Sequence, residues 1–124
     1  MNGSLPADEL YVTDSTGERK TADSKEEVWI SNSLSRYRLF FYFQFPVDGG
    51  KTIPGGYVVD WVIEQGGYIA LEFFGEFWHN KRKDEEDQLK LERLADKFWR
   101  VVVLNSKDVW DQDSADKAIR HEFS

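Results

Sequence analysis

The chain has 124 residues, a net charge of −7, 40% hydrophobic and 15% aromatic residues, and no cysteine. That length supports one domain with a real core. The missing cysteine excludes a disulfide framework, a thiol nucleophile and a cysteine-based zinc site. No apolar run approaches the roughly 20 residues of a membrane span, and the polar start does not read as a signal peptide, so a soluble cytoplasmic protein is expected, without a membrane partner. An acidic balance weighs against nucleic acid, because phosphate binding usually shows as a basic surface. The charge is uneven, however: acids crowd both ends, and Lys81-Arg82-Lys83 forms a basic cluster in the middle.

Residues 1–23 are polar, with Gly, Ser, Thr and Pro and little periodicity, and read as an N-terminal arm; residues 24–124 read as the single domain. Ser24 followed by Glu27 is a capping-box spacing, which predicts a helix from near Lys25 to about Tyr37. Leu39 to Phe45 is aromatic and strand-like, ended by Pro46 and Asp48-Gly49-Gly50. Tyr57 to Ile63 and Tyr68 to Phe74 are two further strands, and Gly66-Gly67 between them is a hairpin signal. A helical pattern follows from Lys83 to about Phe98, with Leu89, Leu91, Leu94, Ala95 and Phe98 as its expected inward face. Arg100 to Leu104 reads as a strand buried on both faces, and one or two short helices between Ser106 and Arg120 close the chain. The order is helix, three strands, helix, strand, helix: an α/β (α+β) domain.

Two carboxylates inside otherwise apolar strands mark the candidate site. An ionised group in such a run is costly unless it is paired or binds a metal. Alternation groups Val58, Asp60 and Val62 on one face, and Val59, Trp61 and Ile63 on the other. Asp60 alone is as easily a paired structural acid as a ligand; Glu72 on the adjoining strand shifts the balance. Two converging carboxylates suit Mg²⁺, with Mn²⁺ as a substitute, because a hard cation takes oxygen ligands and keeps waters for chemistry. His79, beyond the glycine that ends the strand, is placed to take a proton from water or to assist a leaving group. Trp78 is either core filler or an aromatic that stacks on bases. Asp87 and Lys90 share a helical face, either as a solvated ion pair or with Asp87 orienting His79 and Lys90 on a phosphate. Glu27 either completes its capping box or joins the site.

These residues resemble a known group. An acid-bearing strand with Asp60, a hairpin, a second strand with Glu72 and a following helix resemble the PD-(D/E)XK, or restriction-endonuclease-like, superfamily. Gly75-Glu76-Phe77-Trp78-His79 resembles a segment of the very-short-patch repair endonucleases and of phage homing endonucleases described by an EDxHD motif. The resemblance spans about Ser24 to Leu104 and implies a mixed central sheet of about four strands flanked by helices. It implies Glu27 as the first acid, Asp60 and Glu72 as metal ligands, His79 as the catalytic histidine, Asp87 as the last acid, and Trp78 as the residue that inserts into DNA. Phe74 stands where the superfamily carries its usual lysine, so His79 or Lys90 would supply that function. The structural zinc of the repair enzymes has no counterpart here.

The expectation is therefore an Mg²⁺-dependent DNA endonuclease or nickase, with Lys81, Arg82, Lys83 and Lys90 on backbone phosphates. The same metal chemistry on RNA is a variant that nothing in the sequence separates. The rival from another class is a catalytically inactive protein on the same fold, such as a viral assembly component or a protein-binding module. A chain this short has no separate sequence-reading domain, so the arm, a homodimer or a partner protein would supply specificity.

Overall fold

A computed structural model describes residues 9–75 and 81–124, with the backbone alone at 81 and 82. The elements run β1 (Tyr11–Thr13), β2 (Arg19–Thr21), α1 (Lys25–Arg36), β3 (Phe40–Val47), a 3₁₀ turn (Gly50–Thr52), β4 (Tyr57–Glu64), β5 (Tyr68–Phe74), α2 (Lys81–Lys97), β6 (Arg100–Asn105) and α3 (Gln112–Phe123). Among the described residues, three α-helices and a four-stranded mixed sheet make a mixed α/β fold, with β3, β4 and β5 antiparallel and β6 parallel to β5.

Part of the segment read as a polar arm is a β-hairpin. β1 and β2 pair antiparallel, and the carboxylate of Asp14 closes their turn by accepting the N–H groups of Thr16 (2.8 Å) and Glu18 (3.0 Å). Such a side chain mimics a backbone turn, so three-residue strands suffice. Val12 and Ala22 anchor the hairpin in the main core. It also closes the outer edge of β3: Ser15 Oγ accepts Phe41 N–H (2.8 Å), Ser15 N–H donates to Phe41 O (3.0 Å), and Lys20 Nζ donates to the carbonyls of Phe43 (3.0 Å) and Gln44 (2.9 Å). An edge strand left open is a template for unwanted pairing; here the protein's own hairpin occupies it.

Helices α1 and α3 cover one face of the sheet. Ile30, Leu34, Ala115, Ile119 and Phe123 pack with Phe41, Phe43, Trp61, Ile63, Ile69 and Leu71. The buried indole of Trp61 donates to Ser31 Oγ at 2.9 Å, which satisfies its one polar atom. Helix α2 covers the other face only in part, through Leu94 with half-buried Leu91 and Phe98 against Val59, Val62 and Ala70. Leu89, expected inward, is 59% exposed, and Ala95 is exposed too. β6 is an edge strand, flanked among the described residues by β5 alone, and it is not buried on both faces: Val103 is 37% exposed. No helix among the described residues is long and apolar enough to cross a membrane.

Strict alternation fails at one level of the sheet. Val59 packs with Val62, not with Trp61 and Ile63, and on β3 Phe41 and Phe43 face the α1–α3 side while Val47 packs on the α2 side. Both strands change phase where Gln44 faces Asp60. The flanking pairs Phe43↔Trp61 and Phe45↔Val59 form, but Gln44, at φ 51°, stands out of register pairing. A non-glycine residue in the left-handed region costs energy and tends to mark a place where the ladder is redirected.

Candidate functional site: two acids where the strands part

The β4–β5 ladder runs from Glu64↔Tyr68 to Trp61↔Leu71 and stops one step before Asp60 and Glu72. From there side chains replace backbone partners. Asp60 N–H donates to Glu72 Oε2 at 2.7 Å, and Phe73 N–H donates to Asp60 Oδ2 at 2.9 Å. The strands part, and two carboxylates fill the gap while satisfying the amides the ladder would have used. Lys90 Nζ reaches in from α2 and sits 2.5 Å from Glu72 Oε1. Lys90 thus arrives from the helix at the acid pair, while Phe74 occupies the strand position.

Glu72 is 1% exposed and both of its oxygens are engaged. Asp60 differs: it opens onto a cleft of about 690 Å³, also lined by Glu27, Asp23, Lys90, Lys51, Arg19 and Lys20. Glu27 reaches that wall through its cap. Ser24 Oγ accepts Glu27 N–H (3.3 Å), while the Glu27 carboxylate accepts the N–H of Asp23 (2.6 Å), one residue further back than the capping box anticipates. The helix start therefore fixes an 8%-exposed carboxylate within electrostatic reach of Asp60.

Burial dominates the charge state of all three acids. It pushes Glu27 up to about 7, aided by the negative charge of Asp60 and opposed by the Asp23 N–H. It likewise pushes Glu72 up to about 7, reinforced by Asp60 and opposed by Lys90. Asp60 is raised by burial and held down by the Phe73 N–H, Lys90 and Lys51. Desolvated, mutually repelling carboxylates are the environment a divalent cation or a transferred proton would relieve.

Among the described residues no group of three or more His, Asp or Glu is arranged to hold a metal ion. The carboxylates on the cleft wall are those of Glu27 and Asp60, with Asp23 beside them. Such a set fits Mg²⁺, which is commonly held by one or two protein carboxylates and completes its shell with water and substrate phosphates. It does not fit a structural zinc site, which is a closed set of cysteine and histidine ligands.

The remaining predicted site residues divide into those outside the described residues and those on α2. Trp78 and His79 lie outside the described residues, as do the side chains of Lys81 and Arg82. Asp87 and Lys90 do not pair with each other: Asp87 forms an exposed ion pair with Lys83 (3.4 Å), while Lys90 turns to Glu72. Lys51, Arg19, Lys20 and Gln44 carry no signal in the sequence, because three sit in segments that read as arm or loop and Gln44 belongs to no motif. No family model, no curated protein and no solved structure matches this chain.

Proposed function

We propose that this chain is a metal-dependent phosphodiesterase, a DNA endonuclease or nickase built on a restriction-endonuclease-like core. One observation carries the reading. The central hairpin opens at Asp60 and Glu72, trading ladder bonds for carboxylates, and presents Asp60 to a cleft together with Glu27 and Lys90. The element order from α1 to α3 and the position of Glu72 on β5 agree with the resemblance. Asp60 and Glu27 would hold Mg²⁺ or Mn²⁺ in the cleft. Bound there, the cation would polarise a scissile phosphate and lower the pKa of a water.

The chain's own groups have separable roles. Glu72 fixes the Asp60 backbone and anchors Lys90; it would itself join the ion only by giving up Lys90 or the Asp60 amide. Lys90 supplies the cation the superfamily usually carries two residues after this acid, and offsets the charge of a phosphate drawn to the cleft. Supercoiled plasmid is expected to be nicked in Mg²⁺ or Mn²⁺, and Asp60→Ala to abolish nicking with no loss of fold by circular dichroism. Equal nicking by Asp60→Ala would remove the assignment.

The rival, a non-catalytic module on this fold, draws on the net charge of −7 and on Phe74 at the strand position of the usual lysine. It predicts a thermal midpoint indifferent to Mn²⁺, whereas a cation that binds only the folded state must raise it.

A further inference from the structure

The cleft has acids on its floor and unshared cations on its rims. Lys20 is occupied: it donates to two carbonyls of β3 and thereby pins the hairpin beside the cleft. Lys90 is committed to Glu72. Arg19 and Lys51 have no carboxylate partner within ion-pair distance among the described residues. They stand on different elements, Arg19 on β2 of the hairpin and Lys51 in the 3₁₀ turn between β3 and β4, and both line the same cleft as Asp60.

Arg19 is also pre-positioned. Its guanidinium carbon lies 3.8 Å from the centre of the Tyr11 ring across the hairpin. Stacking holds the planar group while leaving its edge N–H groups to bond elsewhere, the arrangement suited to a phosphate oxygen pair. Lys51 reaches the wall of that cleft from the 3₁₀ turn.

We infer that Arg19 and Lys51 hold phosphates of one nucleic-acid strand, so that the strand crosses the acidic floor between the hairpin and the β3–β4 turn. A lone phosphate could be held at one point; two separate rims around a repelling floor suit a polyanion that spans it. The inference rests on the phosphodiesterase reading for the identity of the ligand. It adds Arg19 of the hairpin and Lys51 of the 3₁₀ turn to the phosphate contacts expected from the sequence.

The test is equilibrium binding of fluorescein-labelled 20-nucleotide single strands and 20-base-pair duplexes, DNA and RNA, by anisotropy across a KCl series without divalent metal. Removing one phosphate-binding side chain should lower the slope of log K against log salt by about 1, so Arg19→Ala with Lys51→Ala should lower it by about 2. Arg19→Lys should recover most of its share, and Lys107→Ala with Lys117→Ala, on the α3 side of the fold, should leave the slope unchanged. Thermal midpoints of all variants check that the hairpin stays folded. An unchanged slope in the double variant, or no binding by the wild type at 20 mM KCl, overturns the inference. Plasmid nicking separates the two readings: a reduced slope without nicking in any divalent metal sinks the phosphodiesterase and keeps the rim contacts, while nicking with an unchanged slope does the reverse.

Discussion

The two ends of the β4–β5 hairpin use the same strands for opposite purposes. Toward the turn, Trp61, Val62 and Ile63 pair with Leu71, Ala70 and Ile69 in an unbroken ladder, and every one of these side chains is buried. One step further on, the ladder stops, and Asp60 and Glu72 stand where apolar residues would have continued the core. The turn end gains from burial. The other end keeps buried charge that burial penalises, which persists because amides and Lys90 compensate it in part. Stability and chemistry are thus segregated along one hairpin, and substitutions at the two ends should be distinguishable by what they change.

The largest effect is expected at the packed end. Trp61→Ala removes the largest fully buried side chain among the described residues and orphans Ser31 Oγ. It should cost about 3–5 kcal/mol in urea unfolding, at every pH between 5 and 8. A loss below about 1 kcal/mol would mean that the turn end contributes no more to stability than an exposed site.

At the other end the effect should depend on pH. Glu72, pushed up to about 7, binds a proton in the folded chain that the unfolded chain has released above about 4.5. Between those values the folded state holds more protons, so wild-type stability should fall as pH rises through that window, by an amount on the order of 1–3 kcal/mol. Glu72→Gln should remove its share of the decline and leave the share of Glu27, which burial also pushes up to about 7. Lys90→Met removes the cation that lowers the Glu72 pKa, so its loss should be about 3 kcal/mol at pH 8 and much smaller at pH 5.5, where Glu72 is protonated. A pH-independent loss for Lys90→Met would show that the Lys90 charge does not act through the Glu72 carboxylate.

How much of this was legible in the sequence follows the same division. The strands around Trp61 and Leu71 announce themselves, because alternation and β-branched residues report directly on a regular ladder. Helix α1 is marked by Ser24, and α2 by its leucines, although Leu89 proved exposed since α2 crosses only part of its face. Asp60 and Glu72 stood out as charges in apolar runs. Their division of labour did not. That Glu72 turns inward to Lys90 and the Asp60 amide while Glu27 shares the cleft depends on where the strands part, and on Gln44 adopting φ 51° opposite Asp60. No residue pattern encodes that phase change. The β1–β2 hairpin was hidden for another reason: its strands are three residues long and held by Asp14, Ser15 and Lys20, so polar side chains replace the apolar periodicity that normally reveals a strand.

The smallest effect concerns that hairpin and sharpens the comparison at β3, the strand outside both ends. Ser15 fixes β3 beside the packed end by accepting the Phe41 N–H, whereas Lys20 fixes it beside the cleft through the Phe43 and Gln44 carbonyls. Ser15→Ala removes one hydrogen bond at a partly buried position and should cost about 1 kcal/mol. Its signature should be local: faster hydrogen exchange at the Phe41 amide, with the Trp61 and Leu71 amides still exchanging only through global unfolding. If the amides of the β4–β5 ladder quickened in step with Phe41, the hairpin would be part of the central cooperative unit. The packed end and the cleft would then open together, and the segregation of stability from chemistry along the hairpin would not survive.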